Sequence, residues 1–243
     1  MKLFVLLITL IALKPTHVVG IESVVFDNTS GTPDTRFKHE IGVSYAGLTL
    51  FEASNFVLKT FKQTLGGGQN YTFIEATVTS FQGSGLGSYP LQVAITGGNQ
   101  ILLNADYVEA YIGDVKAEFT GILYHESTRV WQWTANGAAP SGLITGIADY
   151  IRLTSGWPSK NWVPRGSGSS WDEGYAVTAY FLEYCSGLRD GFIADLNAMM
   201  KYYYSDAFFV QLLGKSVYEL WDDYKLQYGG NPPAPALAPG SGY

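Results

Sequence analysis

Apolar residues in the first half of the chain follow first a helical and then a strand spacing. Residues 44–65 repeat apolar side chains near the 3.6-residue period, and the three glycines that follow predict the end of this helix. Residues 71–80 alternate and are rich in β-branched side chains, which is typical of a strand. Two further strands, joined by a glycine turn, are predicted at 91–96 and 100–104.

From residue 114 onward the apolar period is helical. Asp114 is a suitable N-cap for a helix that runs through Val130. Further helices are predicted at 141–154, at 172–186 with Gly187 at its end, and at 190–204, 206–213 and 216–228. Strands and one helix followed by a series of helices indicate the α+β class.

Both ends of the chain are expected to lie outside the folded domain, which we place at 21–228. Residues 1–20 carry Lys2 before a short apolar run and end in small residues, as a secretory signal does. The alternative, a membrane anchor, needs a longer run to cross about 30 Å of hydrocarbon. No later segment is long and apolar enough to span a membrane. Residues 229–243 are rich in proline, alanine and glycine, which predicts a flexible tail.

Composition narrows the functional classes. Apolar residues make up 47% of the 243 residues and charged residues 15%, which excludes a disordered polymer. The formal charge is −6, and it becomes −8 once residues 1–20 are removed, because that segment holds two lysines and no acid. A nucleic-acid partner is therefore not expected.

Two features bear on an extracellular location. Asn28 and Asn70 each begin an Asn-x-Ser/Thr sequon, which is an N-glycan acceptor in a secreted chain and also occurs by chance. Cys185 is the single cysteine, so it has no partner for an internal disulfide. We expect it to be buried as a small apolar residue, a reactive thiol being the alternative.

The chemically suggestive segment is the predicted helix that contains His125 and Glu126. Zinc peptidases use H-E-x-x-H on a helix because residues four apart share one face, so that two imidazoles bind Zn²⁺ while the glutamate acts as general base. Here Arg129 stands four residues after His125, and the motif is H-E-x-x-R. On its own, His125 could equally be a core histidine, and Glu126 half of an ion pair.

Several segments, in order, resemble the plant basic secretory protein family, whose members are classed among the zinc peptidases and include defence-related proteins. They include FTGILYHESTRVWQWTANG, GLITGIADYIRL, WDEGYAVTAYFLEYCSGL, YSDAFFVQLLGKSV and LWDDYK. The resemblance covers nearly all of 21–228. It implies a zinc-peptidase-like fold, in which an N-terminal helix and a mixed sheet pack on an active-site helix that a helical C-terminal lobe follows.

The resemblance also implies roles for single residues. His125 matches the first metal ligand and Glu126 the general base, whereas Arg129 stands where the second histidine ligand is expected. Thr145 stands where the family has a glutamate ligand, and Asp149 matches an aspartate that orients the first histidine. Tyr204 occupies a family-like position at which a phenol could donate to an oxyanion, although aromatic packing is the simpler explanation.

These substitutions predict a degenerate active site with no zinc cofactor. Arginine offers no lone pair and threonine is a poor substitute for a carboxylate, so one of three ligands is left. We expect Arg129 to bridge Glu126 and Asp149 in place of the metal. Asp172, Glu173 and Glu183 are candidate replacement ligands, although a solvated helix face explains them as well.

The resulting hypothesis is a secreted, non-catalytic relative of a peptidase, located outside the cell or in the apoplast, that binds a peptide, protein or cell-wall partner. One alternative is an active metallopeptidase in which His125, Asp149 and a carboxylate from the C-terminal helices bind zinc. Another is a glycosylated wall protein with a structural role. A metal assay separates the first two.

Overall fold

A four-stranded mixed sheet forms one layer of the fold, in a computed structural model that describes residues 21–29, 35–64, 68–85 and 92–229. The strands are β1 (Glu22–Asp27), β2 (Phe73–Thr79), β3 (Ala94–Gly97) and β4 (Gln100–Asn104). Their order is β1-β2-β4-β3, with β1, β2 and β4 parallel. Strand β3 is antiparallel to β4 and forms an edge of the sheet.

Helices cover the sheet and extend the fold beyond it. They are α1 (Val43–Thr60), α2 (Ala105–Ala110), α3 (Val115–Trp131), α4 (Ser141–Thr154), α5 (Tyr175–Leu188), α6 (Phe192–Met199), α7 (Ala207–Leu213) and α8 (Val217–Tyr228). A π-helical turn at Phe37–Ile41 precedes α1, and a 3-10 turn at Ala135–Gly137 follows α3. The parallel pair β1 and β2 requires a crossover connection, which α1 provides while it packs against β1.

Helix α3 lies at the centre of the molecule, packed against α1, α4 and β3. The side chain of Asp114 caps it by accepting a hydrogen bond from the backbone N–H of Ala117 at 2.9 Å, as predicted. Most of its residues are buried, including the polar His125 and Glu126. A helix enclosed on this many sides must satisfy its buried polar groups within the protein.

Helices α5 to α8 form the C-terminal lobe, whose centre is an aromatic cluster of Trp171, Phe181, Phe209, Trp221 and Tyr224. Close contact of α4 with α5 joins this lobe to the rest of the fold. A Cβ atom added at Gly146 would lie 2.2 Å from Thr178 Cγ2, so the contact requires glycine at that position.

The predicted α+β class is confirmed, and α4 has the predicted bounds. Three helices depart from their predicted limits by more than one residue. Helix α1 ends at Thr60, before the glycines, because Lys62 adopts a left-handed conformation with φ +53°. Helix α5 begins three residues later than predicted and includes Gly187, while α6 ends at Met199 instead of 204.

Four elements were not predicted, namely strand β1, the π-helical turn, helix α2 and the 3-10 turn. The predicted signal segment 1–20 lies outside the described residues, as does nearly all of the predicted tail 229–243. Within the ranges that the structure describes, no helix has the length and apolar character needed to cross a bilayer.

Candidate functional site

A cleft of about 890 Å³ lies between edge strand β3 and helices α3 and α4. Residues 92–96 line one side of it, and His125, Glu126 and Arg129 line another. Helix α4 contributes Thr145 and Asp149. The cleft therefore brings together all five residues that the sequence placed around the altered zinc motif.

His125 and Asp149 form a buried pair. The imidazole Nδ1 lies 2.6 Å from Asp149 Oδ1, and both residues are less than a tenth exposed. Asp149 accepts the hydrogen bond from Nδ1–H, so in the neutral imidazole the lone pair is on Nε2. This is the orienting contact that the sequence predicted for Asp149.

Glu126 has three neighbours in the cleft. The hydroxyl of Thr96 on β3 donates a short hydrogen bond to Glu126 Oε2. Glu126 Oε1 is 3.9 Å from His125 Nε2, and Oε2 is 3.8 Å from Arg129 Nε. Glu126 is therefore held by a hydroxyl from the neighbouring strand and lies beside a cation.

The predicted bridge through Arg129 is only half present. Arg129 is close to Glu126, but no ion pair joins it to Asp149 among the described residues. The bridge was wrong because α4 presents the Asp149 carboxylate to His125, one helical turn before Arg129. Arg129 makes no hydrogen bond to any residue that the structure describes, and its side chain is 32% exposed.

Thr145 faces the same cleft but directs its hydroxyl toward the backbone. Thr145 Oγ1 lies 3.2 Å from the carbonyl oxygens of both Ser141 and Gly142, to which it donates. It also accepts a long hydrogen bond of 3.4 Å from the backbone N–H of Tyr175. The hydroxyl of Thr145 therefore forms its hydrogen bonds with backbone groups of the protein.

Tyr175 lies beside the imidazole of His125, a contact that nothing in the sequence predicted. Its ring lies nearly parallel to that of His125, at 16° and 6.2 Å between centroids. The residue has φ +46°, in the left-handed region that non-glycine residues rarely adopt, and it follows Gly174 at φ +91°. Strained residues of this kind occur preferentially at functional sites.

A second ion pair, between Glu118 and Arg152, was also missed. Arg152 Nη2 donates to Glu118 Oε2 at 2.8 Å, and both residues are 6% exposed. Arg152 Nε donates to the backbone oxygen of Trp157 at 2.9 Å. The hydroxyls of Tyr107 and Tyr111 donate to Glu118 at 3.2 and 3.4 Å, completing the network.

This network shares the cleft with the altered motif. Both Glu118 and Arg152 line it, and a Cβ atom at Gly121 would lie 2.3 Å from Arg152 Nε. Burial, with a further contribution from Glu118, raises the pKa of Tyr107 above its ordinary value. The signal was available in the sequence, because Glu118 lies seven residues before His125, which places them on one helix face.

Other candidate residues lie away from the cleft lining. Tyr204 donates from its hydroxyl to Asp206 at 2.8 Å and packs edge-on against Phe208, and burial raises its pKa. Glu183 pairs with Arg165, and Glu173 accepts hydrogen bonds from Ser169 and Ser170. Asp172, the third candidate replacement ligand, accepts a hydrogen bond from the Ser170 hydroxyl. The sequon residues Asn28 and Asn70 are exposed.

Cys185 is buried without a disulfide partner. Burial raises the pKa of its thiol, which disfavours the reactive thiolate. The expectation of a small apolar core residue is confirmed by its full burial.

The donor set at the altered motif differs from that of a zinc site. Across the ranges described here, no group of three or more His, Cys, Asp or Glu side chains is arranged to hold a metal ion. The three positions of interest provide one imidazole nitrogen, a guanidinium and a hydroxyl that is hydrogen-bonded to the backbone. Catalytic zinc usually has three protein ligands.

Comparison with known proteins identifies the relatives of this chain. Residues 21–224 match the model of a family described as peptidases of plants and bacteria. The chain belongs to this family. A basic secretory protease from Boswellia serrata is 41% identical over 61 residues, which is 25% of this chain and 70% of that protein. No solved structure matches the chain. The resemblance to basic secretory proteins is thereby confirmed.

Proposed function

We propose that this protein is a secreted, non-catalytic member of the family that binds peptides in the cleft between β3 and α3. The observation that carries the proposal is the position of Arg129, whose guanidinium lines the cleft beside His125 and Glu126. The rest of the expected arrangement, the paired His125 and Asp149, is present.

Zinc-dependent hydrolysis is disfavoured by the chemistry of the donor set. A guanidinium is always protonated, provides no lone pair and repels a divalent cation at short range. Thr145 cannot supply the charge of a carboxylate, and its oxygen is engaged with backbone groups. Without a metal-activated water, Glu126 has no acidic proton to remove. We therefore propose that the protein works without a zinc cofactor.

Peptide binding is supported by the wall of the cleft. Strand β3 is the last strand of the sheet, and within the described residues its outer edge pairs with no other strand. An extended peptide can add to such an edge through its backbone hydrogen bonds, while neighbouring pockets receive alternate side chains. Ile95, Ile122 and Ile144 provide apolar surface in this cleft.

An extracellular location fits the relative that is named a secretory protease and the predicted signal at residues 1–20. In the apoplast the partner would be a peptide, or an exposed extended segment of a protein or of a wall component. Exposure of Asn28 and Asn70 is compatible with glycosylation.

Metal analysis and a cleavage assay on the purified chain test the absence of catalysis. We expect substoichiometric zinc and no cleavage of casein, with no difference between the natural chain and Glu126→Gln. Stoichiometric zinc that is lost in His125→Ala, with casein cleavage that a chelator and Glu126→Gln both abolish, would instead establish the active metallopeptidase.

Peptide binding is tested separately by equilibrium dialysis of pentapeptide mixtures. N-methylation of every internal backbone nitrogen removes the donors that pairing with β3 requires from both edges of the peptide, so methylated mixtures should bind weakly in comparison with unmethylated ones. Equal retention of the two would contradict binding at the strand edge.

A further inference from the structure

Arg129 has unused hydrogen-bonding capacity in the cleft. A guanidinium carries five N–H donors in a planar fork. Its contact with Glu126, 3.8 Å from Nε to Oε2, is longer than a hydrogen bond. No described residue accepts a hydrogen bond from Arg129, although its side chain is about two-thirds buried. The edge of the fork formed by Nη1 and Nη2 is thus free to meet a ligand.

Glu126 accepts no hydrogen bond from Arg129, because another residue restrains its carboxylate. The Thr96 hydroxyl donates to the same oxygen, Oε2, that lies nearest to Arg129. Thr96 is on strand β3, so the sheet holds the carboxylate oxygen at 3.8 Å from the arginine Nε, beyond hydrogen-bonding distance. The cation is therefore close enough to Glu126 for partial compensation of charge, but it is not bonded to it.

A second guanidinium in the same cleft has a free nitrogen as well. Arg152 is 6% exposed and donates through Nε and Nη2, whereas Nη1 has no partner among the described residues. Glu118 and Glu126, the partners of the two arginines, lie eight residues apart on α3, which is about 12 Å along the helix axis. An extended peptide covers that distance in about four residues.

We propose that the cleft is selective for acidic peptides, and that a ligand carboxylate forms a bidentate hydrogen-bonded pair with Arg129. This proposal rests on the proposed peptide-binding function and specifies its ligand class. The arginine that stands at the expected position of a metal ligand would then be the main determinant of specificity. The carboxylate could belong to a side chain or to a peptide C-terminus.

The net negative charge elsewhere on the chain opposes this selectivity only weakly, and of the carboxylates in the cleft itself, Glu118, Glu126 and Asp149, the first is paired with Arg152. Charges on the exposed surface are screened beyond about 8 Å at physiological salt, whereas a pair formed within a partly enclosed cleft is screened less. Charge-assisted bidentate hydrogen bonds are also stronger than those between neutral groups. Affinity for an acidic peptide should still weaken at high salt, because the cleft is open enough for salt ions to screen the pair in part.

Equilibrium dialysis of the full chain against three pentapeptide mixtures tests the proposal. Two mixtures are N-acetylated and C-amidated, with Glu or Gln fixed at the central position. The third has Gln at the centre and a free C-terminal carboxylate. We expect the Glu mixture or the free-acid mixture to bind about 10-fold more tightly than the neutral one. Which of the two is preferred identifies the source of the carboxylate.

Variants assign the preference to Arg129. Arg129→Gln should abolish the 10-fold preference, so that the acidic mixture binds no more tightly than the neutral one, while Arg129→Lys should keep part of the preference, because lysine retains charge without the fork. Arg189→Gln is the matched control. Arg189 pairs with Asp195 away from the cleft lining and is 40% exposed, and its loss should not alter the preference.

The possible outcomes distinguish selectivity for acidic peptides from peptide binding itself. Binding of all three mixtures with equal affinity would overturn the acidic selectivity while preserving peptide binding. An acidic preference that survives in Arg129→Gln would overturn the role of Arg129. Absence of binding by every mixture would overturn peptide binding itself, and the selectivity with it.

Discussion

Two glutamate–arginine pairs occupy the same cleft, and they differ in almost every physical respect. Glu118 and Arg152 are buried, 2.8 Å apart, and satisfied by tyrosine hydroxyls and a backbone carbonyl. Glu126 and Arg129 are 3.8 Å apart, and the arginine is a third exposed. Both glutamates belong to α3, so the difference arises from what the neighbouring elements provide.

The difference separates a structural arginine from one that is free for a ligand. A buried charge must be paired and hydrogen-bonded, and Arg152 meets that condition almost fully within the protein. Arg129 is close to a carboxylate but receives no hydrogen-bond acceptor from the described residues. The distance between two opposite charges is therefore a weaker indicator of an arginine's role than whether its N–H groups are hydrogen-bonded.

The largest expected effect comes from breaking the buried pair. Arg152→Met leaves the Glu118 carboxylate buried without its cation, which should lower the free energy of unfolding by about 3–5 kcal/mol. The melting temperature should fall by roughly 10 °C for a domain of this size. Arg129→Met is the matched change, and we expect less than about 0.5 kcal/mol from it. Equal losses, measured by chemical denaturation, would remove the distinction between the two pairs.

The next effect tests whether the looser pair stands where a metal ligand could be. Arg129→His together with Thr145→Glu removes the repelling cation and adds two ligands around an imidazole already oriented by Asp149. Zinc affinity, measured by competition with a chromogenic chelator, should rise on the order of 100-fold above the natural chain. A folded double variant that binds zinc no better would show that these positions do not converge.

A smaller effect should follow from releasing Glu126. Thr96→Val removes the hydroxyl that holds Glu126 Oε2, which allows the carboxylate to approach Arg129. The preference for the Glu over the Gln peptide mixture should then fall by about 3-fold, because the guanidinium is partly occupied. Thr77→Val on β2 is a control of the same chemistry outside the cleft lining, and it should leave the preference unchanged. An unchanged preference in Thr96→Val would contradict the restraining role of Thr96.

The smallest effect concerns the tyrosines of the buried network. Burial and Glu118 raise the pKa of Tyr107, so this phenol ionises in the unfolded chain at a lower pH than in the folded chain. Its contribution to stability is complete below pH about 10 and is lost as the pH rises further. Tyr107→Phe should reduce the alkaline loss of stability by about half a kcal/mol at pH 10.5. Urea denaturation at pH 8 and 10.5 measures the difference, and an identical pH dependence in both chains would refute it.

Much of the fold follows from local patterns in the sequence. The Asp114 cap and the bounds of α4 were predicted because capping and helical period are local properties. Strand β1 was missed because its six residues show no clear alternation, and the end of α1 because a lysine rarely takes the left-handed conformation.

The members of the site and the contact of His125 with Asp149 were predicted, whereas the bridge from Arg129 to Asp149 was wrong. The motif and the family resemblance brought His125, Arg129 and Asp149 to one cleft. Whether Asp149 also reaches Arg129 depends on the rotation of α4 about its axis, which cannot be inferred from spacing along the chain. The role of Thr96 depends on that tertiary arrangement as well.

The reversed direction of β3 has a consequence for how a ligand would be oriented. The strand is antiparallel to β4 at the edge of an otherwise parallel sheet. An added chain can satisfy the backbone groups of this edge in either polarity, with only a modest energetic advantage for the antiparallel arrangement. Backbone hydrogen bonds to β3 thus scarcely distinguish the two orientations of a bound peptide. The orientation is then determined by the side chains, which differ between the two ends of the cleft.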